Sequence, residues 1–280
     1  MSTLNGEIAL VTGAGRAAGM GRAIALRLAM LGADVIVTDI ARNAPDLDIK
    51  EVGLGMSPEE LEETAEQVRR LGRRSVAIPI DVTNAASVAD GLAAARSLLG
   101  EVTVLVNNAG TVVGVGSFED ITDAQWELSF RVNVMGAVAM SRAVLPGMRA
   151  AGKGGIINIA STLGIAALPE YGAYVASKHA VVGLTRLLSQ ELAPYGIRTN
   201  AVAPGFIDTD MGKAEMVKIA SAKGISVEEA RKAIIDEIPL HRLGGSADVA
   251  NTVAWLAGPE AAYVNGAIIP VHGGLISGFA

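Results

Sequence analysis

A chain of 280 residues, half of them hydrophobic and only 4% aromatic, can bury a full core, and its length suits one large α/β domain or two small ones. A formal net charge of -6 and a pI near 5.2 argue against a broad nucleic-acid-binding face, which needs clustered Lys and Arg, and leave room only for a small local anion site. The absence of cysteine excludes disulfides and thiolate metal sites, and three widely separated histidines (His179, His241, His272) make metal catalysis a poor expectation. The opening stretch MSTLNGEIALVTG lacks the basic and apolar regions of a signal peptide, and no uninterrupted apolar run reaches membrane-spanning length. A cytoplasmic protein with no membrane and no nucleic-acid partner is expected.

Seven short apolar runs follow in chain order: EIALVT, ADVIVTD, SVAIPID, VTVLVNN, GIINIAS, IRTNAVA and AIIPV. Most are nearly continuous rather than alternating, as in strands covered on both faces, and helical-period segments separate most of them. The pattern predicts an α/β fold with a doubly wound parallel sheet and helices near 19–31, 58–71, 84–99, 122–149, 171–193 and 246–257. Ser57-Pro58-Glu59-Glu60 reads as a helix start, with a cap, a first-turn proline and acids at the positive end. No linker, repeat or low-complexity tract interrupts the chain, so residues 1–280 are read as a single domain. Two segments exceed what a short connection needs. Residues 40–57 form an insertion, functional or a surface decoration, and 208–240 is a helical excursion before the last strand.

The run LVTGAGRAAGMGRAIALRL places four glycines between a strand and a helix. Backbone without Cβ atoms can turn sharply there and approach a pyrophosphate at the helix's positive end; a plain tight turn is the other reading. Asp39 closes the second strand, 26 positions after Gly13, where a carboxylate can accept both adenosine-ribose hydroxyls and repel a 2′-phosphate. That favours NAD over NADP. Arg16 and Arg42 could each bind a phosphate instead, or be solvated surface residues. The fourth strand ends in the polar pair of NNAG, Asn107 to Gly110, at the sheet edge where open α/β folds bind ligands; satisfying loop backbone groups is its structural alternative.

Tyr174 and Lys178, four apart on a predicted helix, share one face, and Ser161 stands at a strand end thirteen residues earlier. A phenol is a poor base at neutral pH, but a neighbouring ammonium favours phenolate, so the pair is expected to move a proton. Ser161 can hydrogen-bond the reacting oxygen. Asn133, polar inside an apolar helix, either repairs a bend or holds a proton-relay water linking Lys178 to solvent.

These motifs, in order and over essentially the whole chain, resemble the short-chain dehydrogenase/reductase family: the glycine loop, Asp39, Asp81-Val82, NNAG, Asn133, Ser161, Tyr174-x-x-x-Lys178 and PGFIDT from Pro204 to Thr209. The resemblance implies a seven-stranded Rossmann sheet in order 3-2-1-4-5-6-7, an Asn133-Ser161-Tyr174-Lys178 catalytic set, NAD as cofactor and a homotetramer. It implies that the cofactor lies along Gly13, Gly15, Arg16, Gly19, Met20, Gly21, Asp39 and Ile40, with Asp81 and Val82 near adenine. Asn108, Ala109 and Gly110 would meet the adenosine-side ribose region. Pro204, Gly205, Ile207 and Thr209 would hold the nicotinamide end, Lys178 its ribose, and 208–240 would be the substrate lid. Three features depart from the family: glycines stretched by two residues, His272 in place of the acid of a terminal DGG-like motif, and the 40–57 insertion. The stretched loop and insertion resemble a subgroup that keeps its nicotinamide bound and passes electrons to a separate redox carrier.

Residues following the cofactor-edge motifs give the expected substrate lining: Ser161, Tyr174, Val112, Val113, Thr162, Leu163, Leu168, Tyr171, Phe206 and Met211. Their apolar character predicts a hydrophobic or alicyclic secondary alcohol or ketone. Glu170 either recognises a polar substituent or sits at the helix start, and His241 and His272 are read as structural or interface residues. An NAD(H) sensor or scaffold without turnover is the competing class. A sugar epimerase or dehydratase would need a larger C-terminal substrate domain.

Overall fold

A computed structural model describes residues 3–40 and 58–276. Residues 41–57 lie outside the described residues, and with them the insertion beyond Ile40, Arg42 and the Ser57 cap. Strands β1 (Ile8–Thr12), β2 (Asp34–Asp39), β3 (Ser75–Pro79), β4 (Val104–Asn107), β5 (Gly154–Ile159), β6 (Ile197–Pro204) and β7 (Ile268–Val271) form one parallel sheet in the order β3-β2-β1-β4-β5-β6-β7. The helices are α1 (Met20–Met30), α2 (Pro58–Arg70), α3 (Ala85–Leu99), α4 (Asp123–Phe130), α5 (Gly136–Ala151), α6 (Gly172–Leu192), α7 (Asp210–Lys223), α8 (Val227–Glu237) and α9 (Ser246–Ala257). The expected single-domain Rossmann fold is the one observed.

Near-continuous apolar strands follow from burial on both sheet faces. Val11, Val35, Val37, Val106 and Val202 pack on Ile24 and Leu28 of α1 and Val249 and Val253 of α9. Their neighbours Leu10, Ile36, Leu105 and Ile156 point the other way, against Leu92, Met140, Val144 and Met148 of α3 and α5. Each such side chain contributes about 1.5–3 kcal/mol when fully buried. Because β1 neighbours both β2 and β4, the winding reverses between them, and this opens a crevice at the strands' carboxyl ends.

The helix expected over 122–149 is not uniform. A π turn at Arg131–Met135 joins α4 to α5. Its cause is a long-range contact: Asn133 bonds the backbone of Thr111, and the widened turn accommodates it. The combined helix 123–151 has the length and composition to cross a membrane, yet its Met140, Val144 and Met148 are buried against the sheet. The 208–240 excursion is a pair of helices, α7 and α8, joined through left-handed Gly224 and a Ser226–Glu229 capping box. It has a small core of its own, Met216, Ile234 and Ile238, on which Phe206, Ile219, Leu243 and Leu275 pack.

Candidate active site

At the crevice, the glycine loop first meets the protein's own chain. Gly13 is left-handed (φ 66°), and a Cβ there would stand 2.9 Å from Asn108 Nδ2 and 3.0 Å from Ala109 Cα. A Cβ at Gly21 would stand 2.2 Å from the Gly13 carbonyl. Reading all the glycines as room for a ligand therefore needs correction: these two let the loop close on the end of β4. Asn108 Nδ2 donates to the carbonyls of Thr12 (2.8 Å) and Gly13 (3.0 Å), and Thr12 Oγ1 accepts the amides of Asn108 and Ala109. Buried Arg22 donates to the carbonyls of Gly15 (2.6 Å) and Glu60 (2.9 Å), fastening the loop to α2. Neither Thr12 nor Arg22 was singled out by the sequence reading; an arginine one residue past the last loop glycine was the available signal.

The residues fit a dinucleotide. Gly19 caps α1 with no side-chain hydrogen bond, and the first turn, beginning at Met20, holds no acid, so the early amides are left for an anion. Asp39 Oδ2 accepts Gly15 N (3.0 Å) and Oδ1 accepts Ile40 N (2.8 Å), and a carboxylate so bonded keeps lone pairs for ribose hydroxyls. Burial pushes its carboxyl up, against those two amides and the charge of Arg16. Asp81 Oδ1 accepts the amide and hydroxyl of Thr83, and Val82 packs so closely that a Cβ on Gly136 would meet it at 2.6 Å. Asn107 lies deeper than the site, donating to Ser141 Oγ (3.2 Å) and Asn158 Oδ1 (2.8 Å).

The four expected catalytic residues come from three places. Ser161 follows β5, is buried, and accepts Leu163 N at 3.1 Å. Tyr174 and Lys178 occupy successive turns of α6; Tyr174 lines the same cavity as Ser161, whose hydroxyl favours its phenolate, and Lys178 Nζ donates to the Ile159 carbonyl (2.8 Å), 5.6 Å from the Tyr174 ring centre. Asn133 Oδ1 accepts Thr111 N (2.8 Å), while Nδ2 donates to Thr111 O (3.0 Å) and Ser177 Oγ (3.0 Å). Ser177 in turn donates to the Tyr174 carbonyl at 2.8 Å. The Asn133 side chain thus bonds protein groups at the π turn, in keeping with the bend-repair alternative of the sequence reading. Gly110 closes the group, since a Cβ there would lie 3.2 Å from Asn133 Oδ1 and 3.6 Å from Lys178 Nζ.

A second correction concerns the proton chemistry. Burial pushes the Tyr174 phenol up to about 12, opposed by the Ser161 hydrogen bond and reinforced by the charge of Glu215. Burial also pushes the Lys178 ammonium down to about 8. Burial dominates at both groups, each losing the solvent that its charged form needs.

A cavity of about 1090 Å³ opens over Ser161 and Tyr174. Val112, Thr162, Leu163, Leu168, Tyr171, Phe206 and Met211 line it as expected, and so do Met20, Pro204, Gly205, Ile207 and Thr209, which the resemblance assigned to the cofactor. Val113 does not; it is buried outside the lining. Sequence reading missed Glu215 and Ile219 of α7, although spacings of four and eight from Met211 put them on its helical face. Thr209 Oγ1 also caps α7 by accepting Gly212 N at 3.1 Å. His272 Nδ1 accepts Gly274 N (3.0 Å), a structural role, and His241 holds a left-handed backbone (φ 50°). Among the described residues no group of three His, Asp or Glu is placed to hold a metal ion.

The comparisons agree with this geometry. A family model described as enoyl-(acyl carrier protein) reductase matches residues 13–276. The 3-oxoacyl-[acyl-carrier-protein] reductase of Pseudomonas aeruginosa is 37% identical over 273 residues, covering 98% of each chain. Carveol dehydrogenase from Mycobacterium avium, solved with NAD, superposes with a TM-score of 0.90 at 30% identity, covering 98% of this chain and 99% of its own. Actinorhodin polyketide ketoreductase, solved with NADPH, gives 0.87 at 36%, with coverage of 98% and 99%. The chain belongs to the short-chain dehydrogenase/reductase family and is an oxidoreductase of that family.

Proposed function

We propose that the protein transfers a hydride between NAD(H) and a secondary alcohol or ketone with a largely apolar body. The carrying observation is that Ser161 and Tyr174 line one largely apolar cavity beside the dinucleotide crevice, with buried Lys178 Nζ 5.6 Å from the Tyr174 ring centre. Bound nicotinamide supplies the hydride acceptor or donor and, when oxidised, a positive charge that favours phenolate nearby. Ser161 holds the substrate oxygen. Tyr174 takes the hydroxyl proton in oxidation and returns it in reduction, and Lys178 offsets the phenolate's negative charge. Positioning against the rigid floor supplies much of the acceleration.

Asp39 supports NAD, while Arg16 in the same loop and the NADPH-bound ketoreductase relative make NADP the cofactor to test beside it. The acyl-carrier reductase relatives place 3-oxoacyl thioesters among the substrates to test. A cytoplasmic homotetramer is proposed, with exposed Leu187, Trp255 and Tyr263 as apolar surface available to partners. The stretched glycine loop supports assaying with an artificial electron acceptor as well, in case the cofactor does not exchange.

Replacing Tyr174 by Phe tests the assignment. Turnover of the best substrate is expected to fall roughly 10²–10⁴-fold, the usual share of a general acid or base, with NAD binding largely intact. Near-normal turnover in that variant would overturn the reading, and tight NAD binding with no turnover of any panel compound by the wild type would favour a sensor.

A further inference from the structure

The cavity holds an ionisable group that the proposed chemistry does not use. Glu215 reaches in from α7, half-buried, and its Oε1 accepts the Tyr171 phenol at 2.7 Å. Among the described residues no hydrogen bond is donated to its other carboxylate oxygen, and Lys218 acts on it only through its charge. Tyr171 is the residue before α6 begins, three before Tyr174, and both line the cavity. Its direction is fixed by a strained predecessor: Glu170 is left-handed (φ 71°), and its carbonyl accepts Gly116 N at 2.8 Å. The Glu215 charge is felt at Tyr174 and opposes phenolate formation there. Glu215 shares the cavity lining with Glu170, Lys218, Lys223 and Glu237, and its charge is the one felt at the proposed base, a poor feature of a site built for a plain hydrocarbon alcohol.

We propose that Glu215, held by Tyr171, receives a hydroxyl on the substrate that lies near the reacting carbon, so that the enzyme favours diols and hydroxyketones over the plain alcohols and ketones. This rests on the dehydrogenase reading above and names the substrate class within it. Donation from such a hydroxyl would spread the carboxylate's charge while the substrate is bound and would anchor the carbinol over Tyr174.

The test compares a cyclohexane diol with adjacent hydroxyls against cyclohexanol, with the cofactor that the wild type accepts. Wild type is expected to show kcat/KM about tenfold or more higher for the diol, as sites with a buried hydrogen-bonding group discriminate against analogues lacking it. In Glu215→Leu that ratio should fall to near one, chiefly through loss on the diol, with Glu215→Gln between. Affinity read by calorimetry in the NAD-loaded Tyr174→Phe background should follow the same order without any turnover. A carboxylate that only latches the lid would change both substrates alike; equal ratios in wild type and both variants therefore overturn the proposal while leaving the dehydrogenase reading standing. If the wild type turns over no panel compound in a Tyr174-dependent way, both fall together.

Discussion

Both carboxylate oxygens of Asp39 accept a backbone amide, from Gly15 and from Ile40, so this side chain shapes the glycine loop as well as facing the crevice. Removing it acts on both. Asp39→Ala should weaken NAD binding and raise the relative use of NADP, because the charge that repels a 2′-phosphate is gone while Arg16 remains. The ratio of kcat/KM for the two cofactors is the measurement, and an unchanged ratio would show that Asp39 does not read the ribose. At this scale the sequence was most legible where chemistry imposes spacing: Tyr174, Lys178 and Ser161 meet as their separations require. It was least legible where a role depends on an unseen neighbour. The Asn133 amide became a clasp only because Thr111 lies opposite, and Glu215 became a cavity acid only because α7 folds back over the site.

Elements followed from periodicity with one exception, and that exception has a mechanical reason. An apolar pattern of period 3.6 runs through 122–149, and nothing in it marks the five-residue π turn at Arg131–Met135. The turn is set by long-range hydrogen bonds: three partners on Thr111 and Ser177 hold Asn133, and Ser177 passes the constraint to the Tyr174 turn of α6. Asn133→Ala would leave the Thr111 amide and carbonyl buried without their partner, at a cost of about 1–3 kcal/mol for each group left unmet. A lower denaturant midpoint is expected, with faster hydrogen exchange at Thr111 and at the first turn of α6. Wild-type protection at both places would mean that the clasp does not hold the proposed catalytic helix. The glycine loop teaches the complementary point: its composition was plain in the sequence, but the 2.2 Å that a Cβ on Gly21 would leave to the Gly13 carbonyl shows that fold and ligand both demand the same residue type.

Across the whole molecule, the site is assembled from segments as distant as Thr12 and Leu275, and the sheet is what brings them together. Both apolar layers lie behind the carboxyl edge, while the α7–α8 unit keeps a separate core and touches the proposed catalytic helix through Tyr171 and Glu215. Such a division leaves the nucleotide crevice on the stiff part and the substrate cover on the part with fewer buried contacts. A ligand that binds only the folded crevice stabilises the whole sheet by mass action, by about 2.7 kcal/mol at a hundredfold excess over Kd. For a chain of this size that corresponds to a rise in Tm of roughly 5 °C. NAD should produce this rise in the wild type and NADP a smaller one, and Asp39→Ala should bring the two together. A preparation whose Tm does not respond to added NAD, and which releases nicotinamide on unfolding, would instead carry the cofactor already bound. No response to NAD and no released nucleotide would contradict the crevice assignment itself, since the uncapped amides of α1 and the lone pairs of Asp39 would then serve no dinucleotide.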